Sequence, residues 1–255
     1  MDIEIAKKEF IKYAEKYDLT FPKMKRKLEH SFRVMENAEK IAESLKLNRE
    51  QCELAKLIGL IHDIGHFEET KVKHILKEDR KIDHGDYGVD TLEKDEYIRK
   101  YIDESKYDKI ILKAIKNHNK FKIEDGLSEE ELLFAKIIRD ADKLDIFYEG
   151  AEIFWTEEEK IEKINNSEIT DEVIEAFNKH IYLDRKDLKT KADSIINFIA
   201  AIFDFNFRYN FEVIKRENYI NKILDKFTFK DEAVSKKMEQ IRKNANDYLE
   251  KMVLC

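Results

Sequence analysis

The sequence predicts an all-α protein, and three observations carry that reading. In 255 residues Pro occurs once and Gly six times, so little breaks a helix and little supplies the tight turns of a sheet. Lys, Glu and Ile are the commonest residues, and Lys and Glu are ones that helices accommodate well. Apolar residues recur every three or four positions through most of the chain, the period of a helix with one buried face. No internal repeat or low-complexity linker interrupts the pattern. A chain of this length buries a sizeable core and forms one large domain or a core plus an extension.

Pro22 stands where a helix can begin, and Val34, Ala38, Ile41 and Leu45 continue its apolar stripe, with His30 one turn ahead of Val34. The next helix, roughly 49–62, carries Ala55, Ile58 and His62 on one face and stops near Gly65. His84 follows Asp83 at the start of another. A helix around 106–118 places Ile111, Ile115 and His118 together. Ser128 with Glu131 reads as a capping box that opens a helix through Leu133, Ile137, Asp140, Leu144 and Phe147. Residues 1–150 are therefore expected to form a core, and 151–255 a helical extension packed on it, the two making one structural unit. The aromatic stretches IFW (153–155) and FIAAIFDFNFRYNF (198–211) read as interior of that extension. Within the second, Asp204 and Arg208 stand one turn apart, to pair with each other or line a pocket.

Charge and cysteine content narrow the function classes. A net charge of −7 argues against a broad nucleic-acid footprint, which needs clustered Lys and Arg. The run KMKRK (23–27) is basic, but a short run of this kind usually marks a solvated helix face. Cys52 and Cys255 are too few and too far apart for a disulfide framework or a zinc ribbon, which fits a reducing compartment. The opening MDIEIAKKEF is charged and amphipathic where a secretory signal would be apolar. The most apolar stretch (195–207) is too short to span a bilayer and contains Asp204. A cytoplasmic protein without membrane contact is the expectation; nothing in the sequence indicates an oligomeric state.

Four helices thus place an ionisable side chain on the face they bury: His30, His62, His118 and Asp140. A buried imidazole or carboxylate must be paired, hydrogen-bonded or metal-bound. Any one of them is more often a satisfied core residue than a ligand, and the dipeptide His62-Asp63 alone means little. Convergence changes the balance, because imidazoles and carboxylates from several helices are how helical proteins build metal sites.

The order His, His-Asp, His, His, Asp resembles the HD superfamily of metal-dependent phosphohydrolases. The local contexts agree: EHSFRV at His30, LIHDIGHFEE at His62 and Asp63, DHGDYGVD at His84, KNHNKF at His118, and IIRDADKLDI at Asp140. Together they cover roughly residues 25–148. The resemblance implies an HD-domain helical bundle with two divalent ions. One would be held by His30, His62, Asp63 and Asp140; the second would share Asp63 and add His84 and His118. It implies hydrolysis of a nucleotide or other small phosphate ester, as a phosphohydrolase or phosphodiesterase, by a metal-activated water. The nitrogen and oxygen donors suit manganese, iron, cobalt or nickel, with zinc also accommodated. His66 departs from the cyclic-dinucleotide phosphodiesterases of the superfamily, which usually carry Lys there and a GYP signature nearby that this chain lacks.

Around this set, Arg33 lies about one turn beyond His30 and Lys143 about one turn from Asp140, both in reach of phosphate oxygens or of nearby carboxylates. His66 is placed to orient a leaving group. Glu68 and Glu69 read more readily as solvated carboxylates than as proton relays, and His74 and His180 as ordinary surface residues. No nucleophile motif, phosphate-cradling glycine loop or HExxH helix occurs. Two other classes stay open beside hydrolysis: a di-iron oxygenase built on an HD-type ligand set, and a non-catalytic sensory or binding module.

Overall fold

The computed structural model describes residues 1–254; Cys255 lies outside them. Every regular element among the described residues is helical, with no strand. Two compact units divide the chain, the first Met1–Asp145 and the second beginning at Ile146. The division falls inside one long helix, a few residues before the boundary at 150 expected from the sequence.

The first unit opens with α1 (Ile3–Ala14), N-capped by Asp2, whose carboxylate accepts from the Glu4 and Ile5 amides. Helix α2 (Pro22–Ser44) starts on Pro22 as its composition predicts. Helix α3 (Arg49–Ile61) starts in a reciprocal capping box between Asn48 and Gln51. The short link between α2 and α3 makes them neighbours, and Gly59 lets their backbones meet. A Cβ at Gly59 would stand 2.8 Å from Met35 Cα and 2.9 Å from the Val34 carbonyl. That approach sets the His30 and His62 rings side by side, 5.3 Å between centroids.

After α3 the chain turns through His62-Asp63 into the single-turn α4 (His66–Thr70), which runs on as a π-helical segment, Lys71–Leu76. Helix α5 (His84–Glu93) is N-capped by Asp83, and α6 (Asp108–Asn117) ends at His118. Asp83 also accepts from Asn119 Nδ2 at 2.9 Å and lies 2.6 Å from Lys120 Nζ, tying the start of α5 to the end of α6. Helix α7 (Glu129–Glu152) begins in the expected Ser128–Glu131 capping box.

The second unit contains α8 (Glu158–Asn165), α9 (Asp171–Asn178), α10 (Lys191–Ala200), α11 (Arg208–Arg216), α12 (Tyr219–Leu224) and α13 (Glu232–Leu254). Of the aromatic residues expected to be interior, Phe205 and Phe211 are buried, while Phe154, Trp155, Phe198, Phe203, Phe207 and Tyr209 are half-buried. Phe198 packs edge-on to Phe147 and Trp155, and Phe203 to Phe177 and Tyr248. Asp193 is buried and acts as a clasp, accepting from the amides of Thr170 and Thr190. Arg208 turns outward to Glu212, 2.8 Å away. Among the described residues, no helix is long and apolar enough to cross a membrane.

The His62-Asp63 turn depends on Gly65. A Cβ there would lie 2.2 Å from the His84 carbonyl and 2.6 Å from the Gly88 amide, both backbone atoms that cannot step aside. Gly65→Ala is expected to destabilise the protein by about 1–3 kcal/mol or more, read as a lowered urea midpoint. An unchanged midpoint would mean that α5 can move off the turn without cost.

Candidate metal centre

Four imidazoles from different parts of the first unit meet at one carboxylate, that of Asp63. His30 comes from the middle of α2, His62 from the end of α3, His84 from the first turn of α5 and His118 from the end of α6. Each ring is held by its outer nitrogen. His30 Nδ1 donates to Asp145 Oδ2 (2.6 Å), His62 Nδ1 to the Gly59 carbonyl (2.8 Å), His118 Nδ1 to the Ile115 carbonyl (2.6 Å) and His84 Nδ1 to Glu69 Oε2 (2.8 Å). A carbonyl or carboxylate oxygen only accepts, so the proton stays on Nδ1 and the Nε2 side of every ring is turned inward.

The inward nitrogens divide between the two oxygens of Asp63. Oδ2 lies 3.6 Å from His30 Nε2 and 3.8 Å from His62 Nε2; Oδ1 lies 3.3 Å from His118 Nε2 and 3.7 Å from His84 Nε2. Of four groups able to hold a metal among the described residues, two share the aspartate, His30–His62–Asp63 and Asp63–His84–His118; the others are His66–Glu69–His84 and His30–Asp145–Glu149. The Nε2 atoms of His30, His62 and His118 are buried and make no hydrogen bond. Buried polar atoms are rarely left so. Three of them aimed at one carboxylate, each fixed from behind, form the donor set of a divalent transition metal. The residues therefore fit such an ion.

Helix α7 supplies the remaining carboxylate, but from Asp142 and not Asp140. Asp142 Oδ1 stands 3.2 Å from His30 Nε2 and 3.9 Å from His62 Nε2. Asp140 is fully buried, as its place on the apolar stripe predicts; neither it nor Asp142 is part of the two groups that share Asp63, and the distances above are what place Asp142 beside the first of them. Two positions on a helix differ by about 200°, so Asp140 and Asp142 face different ways.

The neighbouring charges also differ from the expectation. Arg33 does not face the space between the histidines: its Nε and Nη2 grip Asp145 at 2.6 and 2.9 Å, and Asp145 in turn holds His30. Lys143 is half-buried on α7 beside Asp142. His66 lies against His84, ring on ring at 4.5 Å, with Nδ1 3.1 Å from the Thr70 hydroxyl, and with Glu69 and His84 it forms a further group able to hold a metal. The cation that does reach the centre is Lys27, whose Nζ donates to Asp63 Oδ2 at 3.1 Å. It lies one turn before His30, a spacing that marks it in the sequence once His30 is known to point inward.

Burial and partners set the protonation states. Burial opposes ionisation of Asp63, but the Lys27 ammonium and the surrounding imidazoles of His62, His66 and His118 together outweigh it and hold the carboxyl well below its usual range. Burial pulls His62 down to about 4 and His66 to about 3, so both are neutral. Burial also acts against a charged His30, yet Asp142 and Asp145 together raise it to about 9. Without an ion, the buried Asp63 and the half-buried Asp142 thus face two cations, Lys27 and the imidazolium of His30.

Residues 28–146 match the family model of the HD domain, a superfamily that includes metal-dependent phosphohydrolases. The matched span contains all four histidines, Asp63, Asp142 and Asp145. No curated protein and no solved structure matches the chain significantly.

Asp145 and Glu69 orient rings of the two groups that share Asp63 without entering either, so their loss is expected to act on metal affinity through His30 and His84. Asp145→Asn and Glu69→Gln are each expected to weaken retention of a divalent transition metal by about 10–100-fold, measured by competition with a chromophoric chelator. Affinities equal to the parent's in both folded variants would show that the rings are oriented by other contacts.

Proposed function

We propose that the HD domain at residues 28–146 makes this protein a metal-dependent phosphohydrolase acting on a small phosphate ester. The observation that carries this reading is the division of four inward imidazole nitrogens between the two oxygens of Asp63, the arrangement that suits a pair of cations about 3.5–4 Å apart. Bound there, divalent ions would act as Lewis acids toward phosphate oxygens and lower the pKa of a bound water to the neutral range.

The chain's own residues then have distinct tasks. His30, His62 and Asp142 would hold one ion, His84 and His118 the other, and Asp63 both. Asp145, braced by Arg33, keeps His30 in the tautomer that presents Nε2, and Glu69 does the same for His84. Lys27 remains as a cation at the edge of the centre. Two dications with Lys27 outweigh the charge of Asp63 and Asp142, leaving a surplus of positive charge that a phosphate dianion offsets and a neutral substrate does not. His84 is the partly exposed member, with 21% of its side chain accessible, so substrate and water approach from that side.

The test is a panel of phosphate mono- and diesters assayed with the chain reconstituted with manganese, cobalt or nickel. Chelator-sensitive release of phosphate or of a phosphomonoester is expected. Asp63→Asn keeps the shape but removes the charge shared by both groups, so turnover should fall at least about 10²-fold, roughly 2.7 kcal/mol of transition-state stabilisation. Its metal content should fall toward zero, while His84→Ala should retain about one ion per chain. A panel inert with every metal, beside oxygen uptake by the ferrous form, would replace hydrolysis with the oxygenase reading.

A further inference from the structure

The chain that follows His118 has no regular structure of its own, since α6 ends at Asn117 and α7 begins at Glu129. Side chains fasten it instead. Asn117 is buried; its Nδ2 donates to the Lys113 carbonyl at 2.9 Å and its Oδ1 accepts from the Glu124 amide at 2.9 Å. Arg139, buried on α7, reaches three main-chain carbonyls of the same turn. Its Nη1 donates to Asn117 at 3.1 Å and to Lys120, and its Nη2 to Phe121 at 3.3 Å. A helix C-terminus leaves carbonyls unpaired, and a cation there also meets the negative end of the helix dipole. A guanidinium presents its N–H groups in a fixed plane, so one side chain holds several acceptors in a set geometry; a rotating ammonium does not.

This turn joins the two histidines of one metal group. His118 is its first residue, the C-cap of α6. From its far side Asn119 Nδ2 and Lys120 Nζ reach Asp83, the N-cap of α5, and His84 is the next residue. Polar contacts therefore run from Arg139 through the turn to the residue beside His84. The His118 ring is oriented by the Ile115 carbonyl. What Arg139 fixes is the place of that ring against His84, 5.0 Å between centroids. His30 and His62 stand on a different contact, the close approach of α2 and α3 at Gly59.

We propose that Arg139 is a positioning residue for one ion only, the one held by His84 and His118. It acts through the turn at 117–121 and sets the occupancy of one half of the centre from outside it. The inference rests on the two-ion reading of the centre. A metal site tolerates displacements of only a fraction of an ångström, so loosening this turn costs the second ion and spares the first.

The experiment titrates manganese by calorimetry into the metal-stripped full chain, for the parent and for Arg139→Lys, with folding checked by circular dichroism. The loaded forms are compared by electron paramagnetic resonance, because two manganese ions sharing a carboxylate are spin-coupled and a single ion gives an isolated six-line signal. For Arg139→Lys one affinity is expected to fall about 10–100-fold and the other to stay at the parent's value. At a manganese level that fills both positions of the parent, the variant then shows the isolated signal of His84→Ala. Two affinities equal to the parent's, or an equal fall in both, would overturn the proposal, the second because a general loosening of the fold spares neither ion. Should Arg139→Lys fail to fold, Asn119→Ala decides, since it cuts the same turn from Asp83 at a half-buried position. One affinity falling alone supports the proposal, and any other result overturns it. A parent that holds a single ion overturns the two-ion reading itself, and the role of Arg139 with it.

Discussion

The outward hydrogen bond of each histidine is the constraint on which the centre depends. An imidazole free to rotate or change tautomer presents a lone pair only part of the time. Four rings in different parts of the unit are instead fixed by four acceptors, two of them carbonyls of the very helices that end in the histidine. His62 and His118 each bond the carbonyl three residues back. For these two, the helix terminus that leaves carbonyls unpaired also supplies the orienting acceptor. His30 and His84 sit at a helix middle and a helix start, where no such carbonyl is available, and both use a carboxylate from another segment. The same requirement is met in two ways, each dictated by where along its helix the residue falls.

Packing then decides whether the rings meet. Gly59 brings α2 onto α3, and Gly65 brings the His62-Asp63 turn onto α5. Gly59 and Gly65 are therefore placed where backbone touches backbone, and both contacts join ligand-bearing segments. Asp83 adds a third tie, between the segments that carry His84 and His118. The bundle is held most tightly where the donor atoms must converge, which suits a site whose affinity depends on positions fixed to a fraction of an ångström.

Much of this was legible in the sequence, because helix starts and buried stripes have local causes. Pro22, the Ser128–Glu131 box and the inward faces with His30, His62 and His118 follow from spacing alone. The choice of carboxylate on α7 did not. Asp140 lies on the stripe of Ile137, Leu144 and Phe147 and is buried as that stripe requires, but Ala141 and Asp145 are buried as well. A helix enclosed on several sides has no single inward face, and only the position of α2 tells which aspartate meets the histidines. One signal was available: His30 with Arg33, and Asp142 with Asp145, are both pairs three residues apart. Two such pairs on facing helices fit one another. Lys27 was hidden for a different reason, because a run of like charges reads as solvated until one member is placed on the stripe of a buried histidine.

The charge balance of the centre links its folding to its chemistry. Asp63 and Asp142 are costly to bury, and in the ion-free chain the Lys27 ammonium and the His30 imidazolium offset them. The fold therefore does not require an ion to neutralise its interior. Both compensating cations stand beside the space a divalent ion would take, so its uptake would displace the His30 proton and weaken the hold of Asp63 on Lys27. The proton leaves to solvent, but the ammonium is tethered to α2 and stays beside the centre. A residue that balances Asp63 in the ion-free chain would thus become an unneutralised cation in the loaded one, on the side from which the proposed phosphate ester would be drawn in.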